Sequence, residues 1–453
     1  MTEIQAIQIS DFEKSKDYYF SKDYNKSLLY IIKYLKLYPN NFEALLFKGK
    51  IYYSLKSYLK SIQTYDKCIE AIYNQGKCLK ELNLYNEAIE KFKNAIEIEP
   101  SSKIYNSIGA CLYNMGNKEE AICQYNIAIK LDNYYTPSYF NKGICLSNLD
   151  RKEEAILEYN KAIELNNNYV DAYFQRGYCF YSLGKYKESI IEMNKVIELD
   201  INYPQAYFQR GSCFIKLKRY DEAIIEISKA IELNPYFINA YFQRGYCYNK
   251  MKKIKEAIID YKKTIELNSN SQEPYFRLGL CYMELNNHIN AIEMFDKVIQ
   301  LNRTFVDAYY NKGLCLSKLG RFEEAIYYFN CILSYDRKNL IDSSDISVYY
   351  NKATCLMQIK RFTEAINMFN NVIDMKNNFM EAYFKRGMCF YLNQKYEEAI
   401  NDFNIYISDL ENKKKNCHDF YVIRANCYLK LKKNDEAMKN LDEFCLNTFN
   451  NYI

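Results

Sequence analysis

Tryptophan is absent from this chain of 453 residues, and histidine, proline and glycine are scarce at 2, 6 and 13. Each shortage removes a class of function. His288 and His418 cannot be assembled into one acid–base or metal site. The sixteen cysteines contain no C-x-x-C pair, which argues against a zinc site. Nowhere do eighteen apolar residues run together, so no membrane span is expected. The opening stretch, MTEIQAIQISDFEKSKDYYF, has acids among its first residues and no apolar core, unlike a secretory signal. A cytoplasmic location is the expectation. With 61 basic and 56 acidic residues, the net charge of +5 is too small to imply nucleic acid.

What the chain has is a period. The segments AYFQRGYCF from Ala172, AYFQRGSCF from Ala206 and AYFQRGYCY from Ala240 follow one another at 34 residues. A period of this length marks stacked repeats, each burying its face only against its neighbours. The repeat glycine falls at Gly49, Gly76, Gly109, Gly143, Gly177, Gly211, Gly245, Gly279, Gly313 and Gly387, with Ser15, Ala353 and Ala425 in the same place. Twelve residues later stands a second small residue, as at Ala155, Ser189 and Ala223, and four before the glycine a tyrosine, as at Tyr139 and Tyr173. Thirteen repeats fit. Within each, apolar residues at i, i+4 and i+7 (Tyr173, Gly177, Phe180; then Ser189, Met193, Val196) indicate two amphipathic helices joined by a short turn. Small residues let the helices approach, and an aromatic fills the remaining gap.

This register also absorbs the provocative residues. Eleven cysteines lie two residues after the glycine position, where a small buried side chain is wanted. The glycines outside the repeat position, Gly116, Gly184 and Gly320, each fall seven residues after one, in the turn; none is left for a phosphate loop. The acid pairs Glu153–Glu154 and Glu323–Glu324 start second helices, where they suit the helix dipole. No catalytic residue, metal ligand or cofactor site is assigned.

The pattern of an aromatic, a small residue, then Ala, an aromatic and Ala, closed by Asn or Pro, resembles the tetratricopeptide repeat. Tyr stands for the leading Trp, and Lys142, Arg176, Arg210 and Arg244 stand for the Leu before glycine. The resemblance implies an all-α fold, a right-handed α-solenoid superhelix of about thirteen helix-turn-helix units. Three segments are expected: residues 1–68 with a shortened second repeat, a regular array over 69–345, and 346–453 with longer loops. From Gly49 to Gly76 the step is only 27 residues. Either one helix runs from about Lys60 to Leu82, or the stack breaks there, or the short step reflects a mispredicted splice junction in the gene. The extra residues in SYDRKNLIDSSDIS and SDLENKKKNC are read as loops between repeats.

By the same resemblance, first helices line a concave groove that takes an extended peptide or a partner helix. Three rows follow it: aromatics three before the glycine (Phe174, Phe208, Phe242), amides two before it (Asn74, Asn141, Gln175, Gln209, Gln243, Asn311, Asn351), and bases one before it (Arg176, Arg210, Arg244). An amide can donate to and accept from a peptide backbone at once. The superhelix of O-linked N-acetylglucosamine transferase is similar here, with an asparagine ladder that holds substrate chains. The same amides also suit local hydrogen bonding within the repeat. The basic row is expected to pair with Asp171, Glu273, Asp307 or Glu381, or else to face an acidic peptide. The function expected is a non-catalytic protein-interaction scaffold. The alternative is a permanent structural subunit of a large assembly, such as transport or cell-cycle machinery. Self-association through the solenoid ends remains open.

Overall fold

The computed structural model describes residues 3–39, 41–64, 69–334, 343–413 and 418–450. Among them are twenty-six α-helices, and they form thirteen antiparallel pairs. Two compact halves divide the chain, Met1–Pro235 and Tyr236–Ile453.

In the N-terminal half the pairs are α1 (Glu3–Phe20) with α2 (Tyr24–Leu37), α3 (Phe42–Ser54) with α4 (Tyr58–Thr64), and α5 (Ile69–Glu81) with α6 (Tyr85–Ile98). Then come α7 (Ser102–Asn114) with α8 (Lys118–Leu131), α9 (Thr136–Asn148) with α10 (Lys152–Leu165), α11 (Val170–Ser182) with α12 (Tyr186–Leu199), and α13 (Pro204–Lys216) with α14 (Tyr220–Leu233). In the C-terminal half they are α15 (Ile238–Lys250) with α16 (Ile254–Leu267), α17 (Gln272–Glu284) with α18 (His288–Leu301), and α19 (Val306–Lys318) with α20 (Phe322–Ser334). Last are α21 (Ser343–Gln358) with α22 (Phe362–Met375), α23 (Met380–Leu392) with α24 (Tyr396–Asn412), and α25 (His418–Lys430) with α26 (Asn434–Asn450).

Close approach of the two helices explains the glycine. A Cβ built on Gly143 would lie 2.6 Å from the Tyr159 ring, and one on Gly109 would lie 2.6 Å from Tyr125. Those rings sit sixteen residues after the glycine, on the second helix, and are buried with Ala155 and Ala121 beneath them. Every intra-repeat turn then needs one left-handed residue, seven after the glycine position. Gly116, Gly184 and Gly320 supply it in three repeats, and Lys22, Lys56, Asn83, Asp150, Lys218, Lys252, Asn286, Lys360, Gln394 and Lys432 in the other ten. The residue after it bonds back over five positions, Lys185 N–H to Phe180 O and Arg219 N–H to Phe214 O at 2.9 Å, which closes the helix C-terminus.

Within each half, every second helix also packs on the next first helix. Successive first helices touch (α7 with α9, α9 with α11, α11 with α13; α17 with α19, α19 with α21, α21 with α23) more closely than successive second helices do. First helices therefore take the inner side of each curved half and second helices the outer.

Two expectations about length are amended. The extra residues of SDLENKKKNC do not all form a loop: α24 continues to Asn412 because Ile407 and Leu410 extend its buried face one turn past Phe403. Similarly, Ser343–Ser347 of the earlier insertion are the start of α21. Residues 65–68, on which the long-helix alternative depends, lie outside the described residues.

Candidate functional site

On the inner face, the amide row divides into two groups. Asn141 donates to Asn106 Oδ1 of the preceding repeat at 3.0 Å, Asn311 to its own helix at Asp307 O, and Asn351 to both Tyr310 Oη (3.1 Å) and Ser347 O (2.8 Å). These three make the local bonds that a structural role needs. Asn74 and Gln209 differ: they are 9% and 7% exposed, and their amide nitrogens meet no acceptor. A buried donor left unmade costs about 1–3 kcal/mol. Gln175 and Gln243 are half-buried on the same helix face.

The aromatic row is largely engaged in packing between repeats. Phe140, Phe174, Phe276 and Tyr350 lie 4.9, 5.4, 4.9 and 5.1 Å, ring to ring, from Tyr169, Tyr203, Phe305 and Phe379. Each of those partners is the residue before a first helix, a position where Ser, Thr or Asp is usual and where no side-chain cap bond is made here. The sequence reading did not single out this second aromatic row. Its signal was there, since Tyr135, Tyr169, Tyr203, Phe237, Phe305 and Phe379 all stand eight before the repeat position. Phe242 lies 5.7 Å from Tyr261 of its own repeat, and Phe208 is half-buried.

The basic row has partners other than the expected ones. Arg176 forks onto Glu192 (2.7–3.0 Å) and reaches Asn160 Oδ1 at 2.7 Å. Arg210 does the same with Glu226 and Asn194, and Arg386 with Asp402 and Asn370. Arg244 takes Asp260 at 2.7 and 2.8 Å, and Lys142 takes Glu158 at 2.7 Å. The acid lies sixteen residues on, across the helix pair, and the amide lies on the second helix before. Each arginine also sits over the tyrosine three before it, Arg176 on Tyr173 at 5.3 Å and Arg244 on Tyr241 at 5.7 Å. Of the acids expected, Asp171 instead accepts from Tyr203 Oη, and Glu273 pairs with Arg277 one turn on.

Electrostatics fit this seam. Burial works against the Arg244 charge, but the bonds and charge of Asp260 outweigh it and hold its pKa above the usual guanidinium range. Burial likewise raises the Glu192 carboxyl, with Arg176 opposing. The side chains of Arg176 and Arg210 are 17% and 18% exposed. Position and pairing make them seam residues, which leaves the amides and ring faces as the inner surface.

The eleven cysteines in register are all buried. Burial pushes the Cys145, Cys247, Cys315 and Cys389 thiols up to about 12, so they are unreactive packing groups. Among the described residues no three His, Cys, Asp or Glu side chains could hold a metal ion, and no helix is long and apolar enough to cross a membrane.

Profiles of the tetratricopeptide repeat match residues 42–72, 69–102, 170–202, 204–237, 238–271, 273–305, 306–339 and 350–413, and a TPR repeat profile matches 151–184. Together they span more than half of the sequence, and the chain belongs to the tetratricopeptide-repeat family. It is a protein-interaction scaffold by that membership. No curated protein matches it. Among solved structures it is similar to YrrB, described as a TPR protein with an unusual peptide-binding site, at 25% identity over 42% of this chain and 97% of that one (TM-score 0.37). It is also similar to the C-terminal part of a TPR repeat-containing protein from Cytophaga hutchinsonii (22% identity, 53% and 98% covered, TM-score 0.46). A third is PilF of Pseudomonas aeruginosa (18%, 45% and 93%, TM-score 0.40).

Proposed function

We propose that the inner face of the first helices holds an extended peptide or a partner helix, and that the chain acts without catalysis as an adaptor. The observation that carries this reading is the pair of buried amide donors without acceptors, Asn74 and Gln209, in a row where Asn141, Asn311 and Asn351 bond locally. A peptide carbonyl is the acceptor such a donor lacks, and Gln175 and Phe174 flank the path in the neighbouring repeat. The arginines Arg176, Arg210 and Arg244 support the face from behind by fixing the helix pairs.

The test is peptide-phage selection on the immobilised full chain, followed by binding of the selected peptide to an Asn74→Ala, Gln175→Ala, Gln209→Ala triple variant. A loss of tenfold or more in affinity is expected, with the melting temperature retained. Unchanged affinity would remove the amide-groove reading. A second reading, a permanent subunit of a larger assembly, is favoured by aliphatic side chains exposed on the outer face (below). It predicts a chain that is degraded in cells when its assembly is missing, and the adaptor reading predicts one that accumulates alone.

A further inference from the structure

The outer face of the N-terminal half carries apolar side chains that its own packing does not use. Fourteen residues after the repeat glycine, on four consecutive second helices, stand Cys123, Leu157, Ile191 and Ile225. Leu157, Ile191 and Ile225 are 65%, 64% and 66% exposed, and Cys123 is exposed. One exposed isoleucine is ordinary. The same position in consecutive stacked repeats makes a row instead. The fold does not require it: in the C-terminal half Ile259 and Tyr327 are exposed at this position, but Glu293 separates them and Asn367, Asn401 and Lys439 follow, on equally regular helix pairs.

The row ends at a cleft of about 420 Å³ between α6 and α8, floored by Ile89, Ile96, Ile108 and Leu112. Its origin is a gap in the arginine seam. Ile108 stands where most repeats have Lys or Arg, Gln124 where Arg176, Arg210, Arg244 and Arg386 find their acid, and Lys93 where Arg176, Arg210 and Arg386 find their asparagine. No guanidinium fills the seam here, and Cys123 immediately precedes Gln124, which lines the cleft.

Charge beside the row is one-sided. Three or four residues before it lie Glu120, Glu153, Glu188 and Asp221, none of them in an ion pair, while Glu119, Glu154 and Glu222 at the same offsets are paired with Arg151 and Arg219 and Lys187 interrupts on α12. One turn after it, Lys161, Lys195 and Lys229 are already paired on their own helices with Glu164, Glu198 and Glu232 at 2.8, 2.7 and 2.8 Å. The charge left uncompensated along the row is therefore mainly negative.

We infer that this face docks an amphipathic helix of a partner protein, apolar on one side and bordered by Lys or Arg, with one apolar side chain seated in the α6–α8 cleft. The apolar stripe matches the row, the basic border matches the free carboxylates, and the cleft takes an anchor residue.

The full chain is titrated into a fluorescein-labelled synthetic helix of Leu and Lys, and into its Leu–Glu counterpart, by anisotropy. The lysine peptide binds saturably and the glutamate peptide at least tenfold more weakly. An Ile191→Glu, Ile225→Glu double variant loses tenfold or more. So does Ile108→Arg with Gln124→Glu, which installs the missing ion pair and fills the cleft while holding or raising the melting temperature. The inner-face triple variant binds the lysine peptide as wild type does. The inference is overturned by no saturable binding, by equal binding of the two peptides, by full binding to the outer-face variants, or by loss in the inner-face triple. It is also overturned if sedimentation shows a wild-type dimer that the Ile191→Glu, Ile225→Glu change dissolves, for then a second copy covers the face.

Discussion

At the position fourteen residues past the repeat glycine, the N-terminal half shows Leu157, Ile191 and Ile225 to solvent in succession, whereas in the C-terminal half Ile259 and Tyr327 alternate with Glu293 and give way to Asn367 and Asn401. One residue further along, both halves contain the same pairing: Glu192 and Glu226 in the first and Asp260 and Asp402 in the second each hold the arginine of their repeat. Adjacent positions on one helix thus follow different rules. Where the repeat has its arginine the inward one is constrained by a buried charge, and the outward one is free to vary from repeat to repeat. Core packing varies too. One buried cluster runs from Phe276 to Cys389 in the C-terminal half, with Phe295, Phe329 and Phe369 in succession. In the N-terminal half the cluster from Ala121 to Cys179 is shorter and built on Tyr125 and Tyr159.

The sharpest way to break the comparison is at the shared seam. Arg176→Met and Arg386→Met should each cost about 3–5 kcal/mol in chemical denaturation, because Glu192 or Asp402 is left buried and unpaired. A small loss in one half alone would mean that the seam is not a common element. Overpacking comes next: Gly143→Val drives side-chain atoms into Tyr159 and should cost about 1–3 kcal/mol. In the opposite direction, Lys352 has Met368 where Arg176, Arg210, Arg244 and Arg386 have an acid, and burial lowers its pKa. Lys352→Met should therefore stabilise the C-terminal half by about 1 kcal/mol, read as a rise in denaturation midpoint. Smaller still, Lys218→Gly and Lys252→Gly relieve a left-handed residue in each half, at φ 60° and 61°, and should each add about 0.5–1 kcal/mol. Ile191→Glu should leave stability within about 0.5 kcal/mol, since the side chain is 64% exposed.

The repeat was legible because glycine, tyrosine and alanine recur at fixed offsets, and packing between two helices permits little else there. The seam was half legible. Arg176 stood out, but its partner was sought among acids near it on first helices, whereas Glu192 is sixteen residues away and reached only when the two helices pair. Helix ends were the weakest part: Phe403, Ile407 and Leu410 keep the i, i+4, i+7 spacing through a stretch rich in Lys and Asn that suggested a loop. The amide row illustrates a different limit. Asn141 and Gln209 hold equivalent positions, yet one meets Asn106 of the preceding repeat and the other has no acceptor, a difference set by the neighbour and not by the residue itself.

The buried cysteine two residues past the glycine recurs in eleven of the thirteen repeats, one per helix pair from Cys78 to Cys427. In a stack held by nearest-neighbour contacts, repeats can open separately, and each opening uncovers its own thiol. The chain therefore contains a ruler of its local stability. A pulse of thiol label followed by peptide mapping would read the opening free energy repeat by repeat, without any substitution, and a bound partner would be located by the thiols whose labelling slows.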